Sequence, residues 1–502
     1  MVKKVNKILH TPNWLFILMA IVLVLRIPTF FEPYSYGDEM IYLSLGEGVR
    51  KGLTLYSQIH DNKPPLLYLT AALAGNLLWF KAILATWSLV TIFLFWKFVE
   101  VLYPKKSNLQ KLATVIFAIY TTIPRLEGHI ANAENFMIGF TIAAFLTLLK
   151  PTIKKQKLKP KKLVIAGVLF SIATLFKVPA MFDLAAIIFL WVAIAKPERK
   201  VLLNIIKKIA YLLTGFMVPI LLTLLWYWLR GAFHEYLVAA FLQNVGYLSS
   251  WRPGDIREPF LVRNGPLLTR AAIVALAHVI LYIYRKKLSR QFMFVSSWLF
   301  LTLFAVTLSE RPYPHYLLQS VAPISILAAM LVFKKDLEQS LVIIPLTITF
   351  LVPVYFDFWH YSTVNYYVRF IKFATGNTTK QQYIKTFGGE VERNYEIAEF
   401  VSSNTDKNEK MLVWGDGSAI YALSKRLPPI KFVADYHIND FSTHEEIIKQ
   451  IRVTMPKVIV ILPNSPGFAE LDKLVSKNYI LTKDVNGATI WILISDRLRS
   501  II

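Results

Sequence analysis

The stretch YSYGDEMIYLSLGEGVRKGLTLYSQIHDNKPPLLYLTAAL, residues 34–73, lies between two long apolar segments, 14–31 and 82–101. It crowds Asp38, Glu39, Glu47, Asp61 and Lys63 into one connection and ends on Pro64-Pro65, which stops any preceding helix and fixes where the next one starts. The surrounding chain is apolar: 55% of its 502 residues are hydrophobic and 14% aromatic, with a mean hydropathy of +0.46. Apolar runs of this kind, separated by basic clusters, specify a polytopic helical membrane protein. The side of the bilayer that receives residues 34–64 then decides how the rest is threaded.

The net charge of +24 follows the positive-inside rule. The basic residues sit in short loops between apolar helices and not on one soluble face, which excludes nucleic-acid binding. The chain has no cysteine, so disulfides and cysteine-based zinc sites are excluded. The opening MVKKVNKILHTPNWLFILMAIVLVLRIPTF imitates a signal peptide, but no small-residue cleavage site follows, so it reads as the first membrane helix.

Apolar segments lie at 14–31, 82–101, 112–126, 135–150, 163–178, 180–195, 209–229, 270–284, 292–308, 316–333 and 339–356. The basic loops are Lys3/Lys4/Lys7, Lys105/Lys106/Lys111, KPTIKKQKLKPKK (150–162), KPERK (196–200), YRKKLSR (284–290) and Lys334/Lys335. Placing them all in the cytoplasm puts residues 32–64 outside and leaves room for one crossing before Lys105. That crossing is 82–101, so 65–80 lies along the outer leaflet or re-enters it. The expected fold is a polytopic α-helical membrane domain of about 11–13 helices, residues 1–356. A small extracytoplasmic α/β domain, 357–502, follows.

The second part has a different character. Residues 357–502 carry 18 Lys/Arg against 16 Asp/Glu, so nearly all the excess charge belongs to the membrane part. MLVWG (411–415), KVIVIL (457–462) and ATIWILI (488–494) read as strands. EIAEFVSS (396–403), THEEIIKQIR (443–452) and FAELDKLVSK (468–477) read as amphipathic helices. GDG (415–417) after the first strand lacks the full glycine pattern and lysine of a phosphate loop and reads as a turn.

The orientation gathers four polar connections outside: 32–64, PRLEGHIANAEN (124–135), 230–269 and SERPYPHYLLQ (309–319), together with the hairpin at Lys177. Charged residues at a membrane boundary are functional candidates. Asp38 and Glu39 open MIYLSLGEGVRKG, which reads as an interfacial amphipathic helix. Taken alone, they are helix caps. Lys63 before the proline pair suits a phosphate group, or else snorkels at the interface. Glu134 begins a membrane helix, where a carboxylate is also favoured by the helix dipole. Arg125, Lys177, Arg311 and His315 lie on the same side. A carboxylate takes a proton from an acceptor hydroxyl and cations hold a departing phosphate, which together fit transfer from a lipid-anchored, phosphate-activated donor.

In this order, YGDE…GEGVRKGLTLYSQIHDNKPPLLYL, ANAENFM, GVLFSIATLFKVPA and RPYPHYLLQSVAP resemble bacterial members of the GT-C glycosyltransferase superfamily. These are related to protein O-mannosyltransferases and lipid A aminoarabinose transferases. The resemblance covers residues 10–356 and extends weakly beyond. It implies a cell-envelope, mannosyltransferase-like enzyme in the bacterial plasma membrane. Such an enzyme moves a sugar with inversion from a polyprenyl-phosphate donor to a glycan, lipid or protein acceptor outside. It implies Asp38 as general base, with Glu39 beside it and Glu134 as a second acidic position. It places Lys63 near the donor phosphate. In the aminoarabinose transferases a glutamate linked to a metal precedes that lysine. Here Asn62 takes its place, leaving His60 and Asp61 as the candidate ligands for a divalent metal and no cofactor firmly implied. A surface-polysaccharide polymerase is the nearest rival reading. A multi-helix transporter or lipid flippase is the rival of another class, but it would place charges near the midplane on broken helices.

Overall fold

A computed structural model describes residues 11–154, 156–243, 259–309 and 311–494. The basic Lys3/Lys4/Lys7 cluster and residues 244–258 of the 230–269 connection lie outside the described residues. Contacts divide the chain into two compact units. One comprises Met1–Ile27, Lys81–Trp226 and Phe241–Thr363. The other comprises Pro28–Phe80, Tyr227–Ala240 and Val364–Ile502.

Each of the eleven expected apolar segments is helical. Seven helices among the described residues are long and apolar enough to cross a membrane: Asn13–Phe31, Leu77–Leu102, Ala133–Ile153, Arg199–Leu229, Gly265–Ile283, Pro314–Phe333 and Leu337–Tyr355. The other four expected crossings are shorter helices, Ser107–Tyr120, Pro160–Phe176, Val178–Ala193 and Arg290–Val306, below the roughly 20 residues a perpendicular crossing requires. Of residues 65–80, the first part forms the nine-residue helix Leu66–Ala74, stopped by Gly75 in the left-handed conformation and too short to span, and Leu77 already begins the next spanning helix.

In the helical unit, Ala133–Ile153 and Pro314–Phe333 are mostly buried, whereas Gly265–Ile283 buries only Leu281, as a lipid-facing helix does. The core is aromatic. Phe98, Phe145, Phe294 and Trp298 meet at ring-centroid distances of 4.9–6.3 Å. Two helices approach closely through glycines. A Cβ on Gly167 would lie 2.0 Å from the Leu212 carbonyl oxygen, and one on Gly215 would lie 2.1 Å from that of Val164. Small residues at such crossings let backbones touch. Buried cations pin the connection after Tyr120. Arg26 donates to the carbonyls of Thr121 and Gly128, both at 3.0 Å, and Lys81 donates to that of His129 at 3.0 Å.

The second unit is built on a four-stranded mixed sheet in the order β1-β2-β4-β3. Its strands are β1 (Met411–Trp414), β2 (Val458–Ile461), β3 (Tyr479–Val485) and β4 (Ala488–Leu493). β1 and β2 are parallel. β2–β4 and β3–β4 are antiparallel. The sequence reading anticipated all but β3. The expected helices appear as Gly389–Asn404, His444–Thr454 and Ala469–Asn478. The helix Gly37–Arg50 belongs to this unit. It is not half exposed, as an interfacial helix would be: Met40 through Leu45 are all buried. Leu66–Ala74 covers one face, so closely that a Cβ on Gly46 would lie 2.7 Å from the Ala72 nitrogen. On the opposite side Ser44 Oγ donates to the Ser418 carbonyl at 3.3 Å, and Ser418 Oγ to that of Gly37 at 3.4 Å.

Candidate active site

In the sheet-bearing unit, Asp38 sits in the first turn of Gly37–Arg50, yet the helix has no side-chain capping bond at Tyr36. Instead Tyr42, one turn on, donates its hydroxyl to Asp38 Oδ2 at 2.7 Å. The Lys63 ammonium faces the same oxygen at 3.8 Å and lies 5.0 Å from the Tyr42 ring centroid. Burial and the Asp38 carboxylate push the Tyr42 phenol well above its ordinary range, so it stays a donor. Glu39 is buried, at 1% exposure, whereas the Asp38 side chain remains 31% exposed. The two adjacent carboxylates therefore have different access to a substrate.

Lys63 is held by its backbone on both sides. Its N–H donates to Tyr68 Oη at 3.1 Å, and its carbonyl accepts from Tyr56 Oη at 2.9 Å. Tyr56 is fixed in turn by Tyr227 and Tyr236, each with its ring 5.2 Å away. Asp61 is buried, its Oδ1 accepting from the Asn62 N–H at 2.7 Å and standing 3.5 Å from His437 Nε2. Burial alone would raise the Asp61 carboxyl. The charges of Lys63 and His437 and the Asn62 N–H outweigh it and hold the carboxyl below its usual range. His437, on the helix Asp435–Phe441, is itself pushed down by burial. Burial also pushes His60 down to about 4, its ring packed between Phe432 and Phe441.

The GDG stretch is a turn, with Gly415 at φ +117°, but it carries a further acid. Partial burial, followed by the charges of Asp435 and Asp38, raises Asp416 above the ordinary carboxylate range. Neither His437 nor Asp416 was identified from the sequence. His60 and Asp61 do not converge with a third ligand. Among the described residues, no group of three or more His, Cys, Asp or Glu side chains could hold a metal ion. The pair therefore does not fit the metal implied by the resemblance.

The helical unit assembles a second polar cluster. Glu134, buried in the first turn of Ala133–Ile153, is paired with Lys177. The Lys177 ammonium lies 3.5 Å from the centroid of Tyr316. Tyr316 packs edge-on to His315 at 4.7 Å. His315 Nδ1 is 2.6 Å from Glu127 Oε2, which also accepts from Asn132 Nδ2 at 3.1 Å. Three sequence-distant connections thus supply a continuous Glu–Lys–Tyr–His–Glu chain. A carboxylate bonded to one imidazole nitrogen fixes the ring's orientation and its tautomer. Arg125 and Arg311 are exposed on the same two connections.

The chain matches the crystal structure of ArnT from Cupriavidus metallidurans bound to undecaprenyl phosphate. The TM-score is 0.56 and the identity 11%, covering 96% of this chain and 98% of that one. The apo structure of the same protein matches with a TM-score of 0.56 and 11% identity, covering 95% and 97%. At this identity the likeness is one of fold, and it agrees with the fold expected from the sequence. Residues 390–492 match the family described as "Putative competence-induced protein Ccs4 C-terminal domain". No curated protein matches the chain.

Proposed function

We propose that this protein is an inverting glycosyltransferase that moves a sugar from a polyprenyl-phosphate donor to an acceptor hydroxyl on the outer face of a bacterial plasma membrane. The observation that carries the reading is the end-to-end likeness of fold to ArnT, a structure that holds undecaprenyl phosphate. The Asp38–Lys63 pair supplies groups suited to the chemistry.

The acceptor oxygen forms a bond to the anomeric carbon as the bond from that carbon to the phosphate oxygen breaks. The acceptor proton passes to Asp38, and the electron pair leaves with polyprenyl phosphate. Inversion requires the base on the face of the sugar opposite the phosphate. Lys63 therefore turns from Asp38 to the donor phosphate when the donor binds. Removing the ammonium from beside Asp38 makes that carboxylate more basic when a base is needed. Tyr42 keeps it oriented.

The test is incubation of the purified full-length protein with a panel of polyprenyl-phosphate sugars and candidate acceptors, following release of polyprenyl phosphate. Release with one sugar supports the reading. No release across hexosyl and pentosyl donors, with donor binding demonstrated, overturns it.

A further inference from the structure

The helix Thr363–Ala374 has two apolar faces. On one, Tyr366 is buried and donates its hydroxyl to Glu32. On the same face Phe370 and Phe373 pack on Phe31 at 5.4 and 6.3 Å, and Phe373 stacks on Tyr383 at 4.5 Å. This face anchors the helix in its own unit. The other face carries Val364, Val368 and Ile371, spaced as one stripe on a 3.6-residue period. They are 70%, 43% and 56% exposed. The exposed Lys372 lies on the polar flank between the two faces.

Two observations identify what covers the stripe. Phe31, against which the anchored face packs, is the last residue of the apolar spanning helix Asn13–Phe31. The chain also enters the helix from the spanning helix Leu337–Tyr355 through seven residues, FDFWHYS, which include the exposed aromatics Trp359 and Tyr361. Tryptophan and tyrosine at such positions mark the headgroup level of a bilayer. We propose that Thr363–Ala374 lies in the plane of the membrane surface. Its Val364–Val368–Ile371 stripe is inserted among the lipids and Lys372 reaches the headgroups, so that the sheet-bearing unit is seated on the bilayer.

The chain has no cysteine, so single substitutions report position directly. Val368→Cys, Ile371→Cys and Lys449→Cys are each labelled with an environment-sensitive fluorophore in the full-length protein. Lys449 is an exposed control on the helix His444–Thr454. The proteins are reconstituted in phosphatidylcholine/phosphatidylglycerol vesicles and quenched with aqueous iodide or with lipid carrying a nitroxide high on its acyl chain. At positions 368 and 371 the nitroxide should quench strongly, and iodide at least about threefold less than at 449. Iodide quenching equal to that at 449 overturns the proposal. Shielding from both quenchers also overturns it, because a protein surface then covers the stripe. If that shielding grows with the protein-to-lipid ratio, the cover is a second copy.

Discussion

Replacing Lys63 by alanine isolates the charge assigned to the donor phosphate. A charge-assisted hydrogen bond contributes about 1.5–3 kcal/mol. Donor binding must first break the Asp38–Lys63 pair, whose side chains are 31% and 24% exposed, and pairs so accessible to water contribute only about 0.2–1 kcal/mol. The net loss is therefore about 0.5–2.8 kcal/mol, a roughly 2- to 100-fold rise in donor Kd. The substitution also removes the charge that, with His437, holds the buried Asp61 carboxyl below its unfolded value. In the parent protein that depressed value contributes stability above about pH 3.8, lost as pH falls through the folded pKa. Without Lys63 one of the influences that oppose burial is lost and this contribution shrinks, so the variant should also melt at a lower temperature at pH 7. Titration of polyprenyl phosphate into detergent-solubilised protein, at a temperature where both proteins are folded, separates the two effects. Lys63→Arg keeps the charge and should lose less affinity. An unchanged Kd for folded Lys63→Ala refutes the assignment of Lys63 to the phosphate.

Asp38→Asn should lower turnover by about 100-fold or more with donor binding nearly intact, whereas Glu39→Gln, at a buried position, should act mainly on stability. Normal turnover in Asp38→Asn with loss in Glu39→Gln would exchange the two roles. The unfolded chain protonates His60 near pH 6.5, but the folded unit resists protonation until about 4. Stability should therefore be fullest above pH 6.5 and fall by up to about 3 kcal/mol towards pH 4. His60→Phe preserves a ring between Phe432 and Phe441 and should flatten that decline in denaturant unfolding, and an unchanged pH slope would contradict it. Cysteines at the exposed Gln58 and Lys473, both in the sheet-bearing unit, should label from outside in intact cells. Labelling of one alone, or of neither, would break the proposed orientation.

The helical part was legible because a bilayer demands long apolar stretches, and those stretches are continuous in sequence. The edge strand Tyr479–Val485 escaped notice because its middle residues face solvent and show no apolar run. Its signal lay in the turn: Asn486 and Gly487 both adopt positive φ, +51° and +81°, as a tight hairpin requires. The helix Gly37–Arg50 was read as interfacial because one apolar face is visible in sequence. Its second face, closed by Ser418–Ser424, depends on residues more than 370 positions away. Asp38 and Lys63 were found through a local motif. Their neighbours His437 and Asp416, and the Glu127 partner of His315, carry no local signal, since a histidine or an aspartate in a loop declares nothing until the chain folds. His60 and Asp61 looked like ligands because they are adjacent. The fold instead packs one between phenylalanines and pairs the other with His437.

The most direct test of glycosyl transfer is a stoichiometric count. Full-length wild-type protein and Asp38→Asn are given a labelled polyprenyl-phosphate sugar with the acceptor that supports turnover, and released polyprenyl phosphate is measured against sugar transferred. The wild type should release one polyprenyl phosphate per sugar transferred, with the opposite anomeric configuration in the product. Both products should fall together by about 100-fold in Asp38→Asn. Retention of configuration, or equal transfer by the two proteins, would contradict inverting transfer with Asp38 as its base.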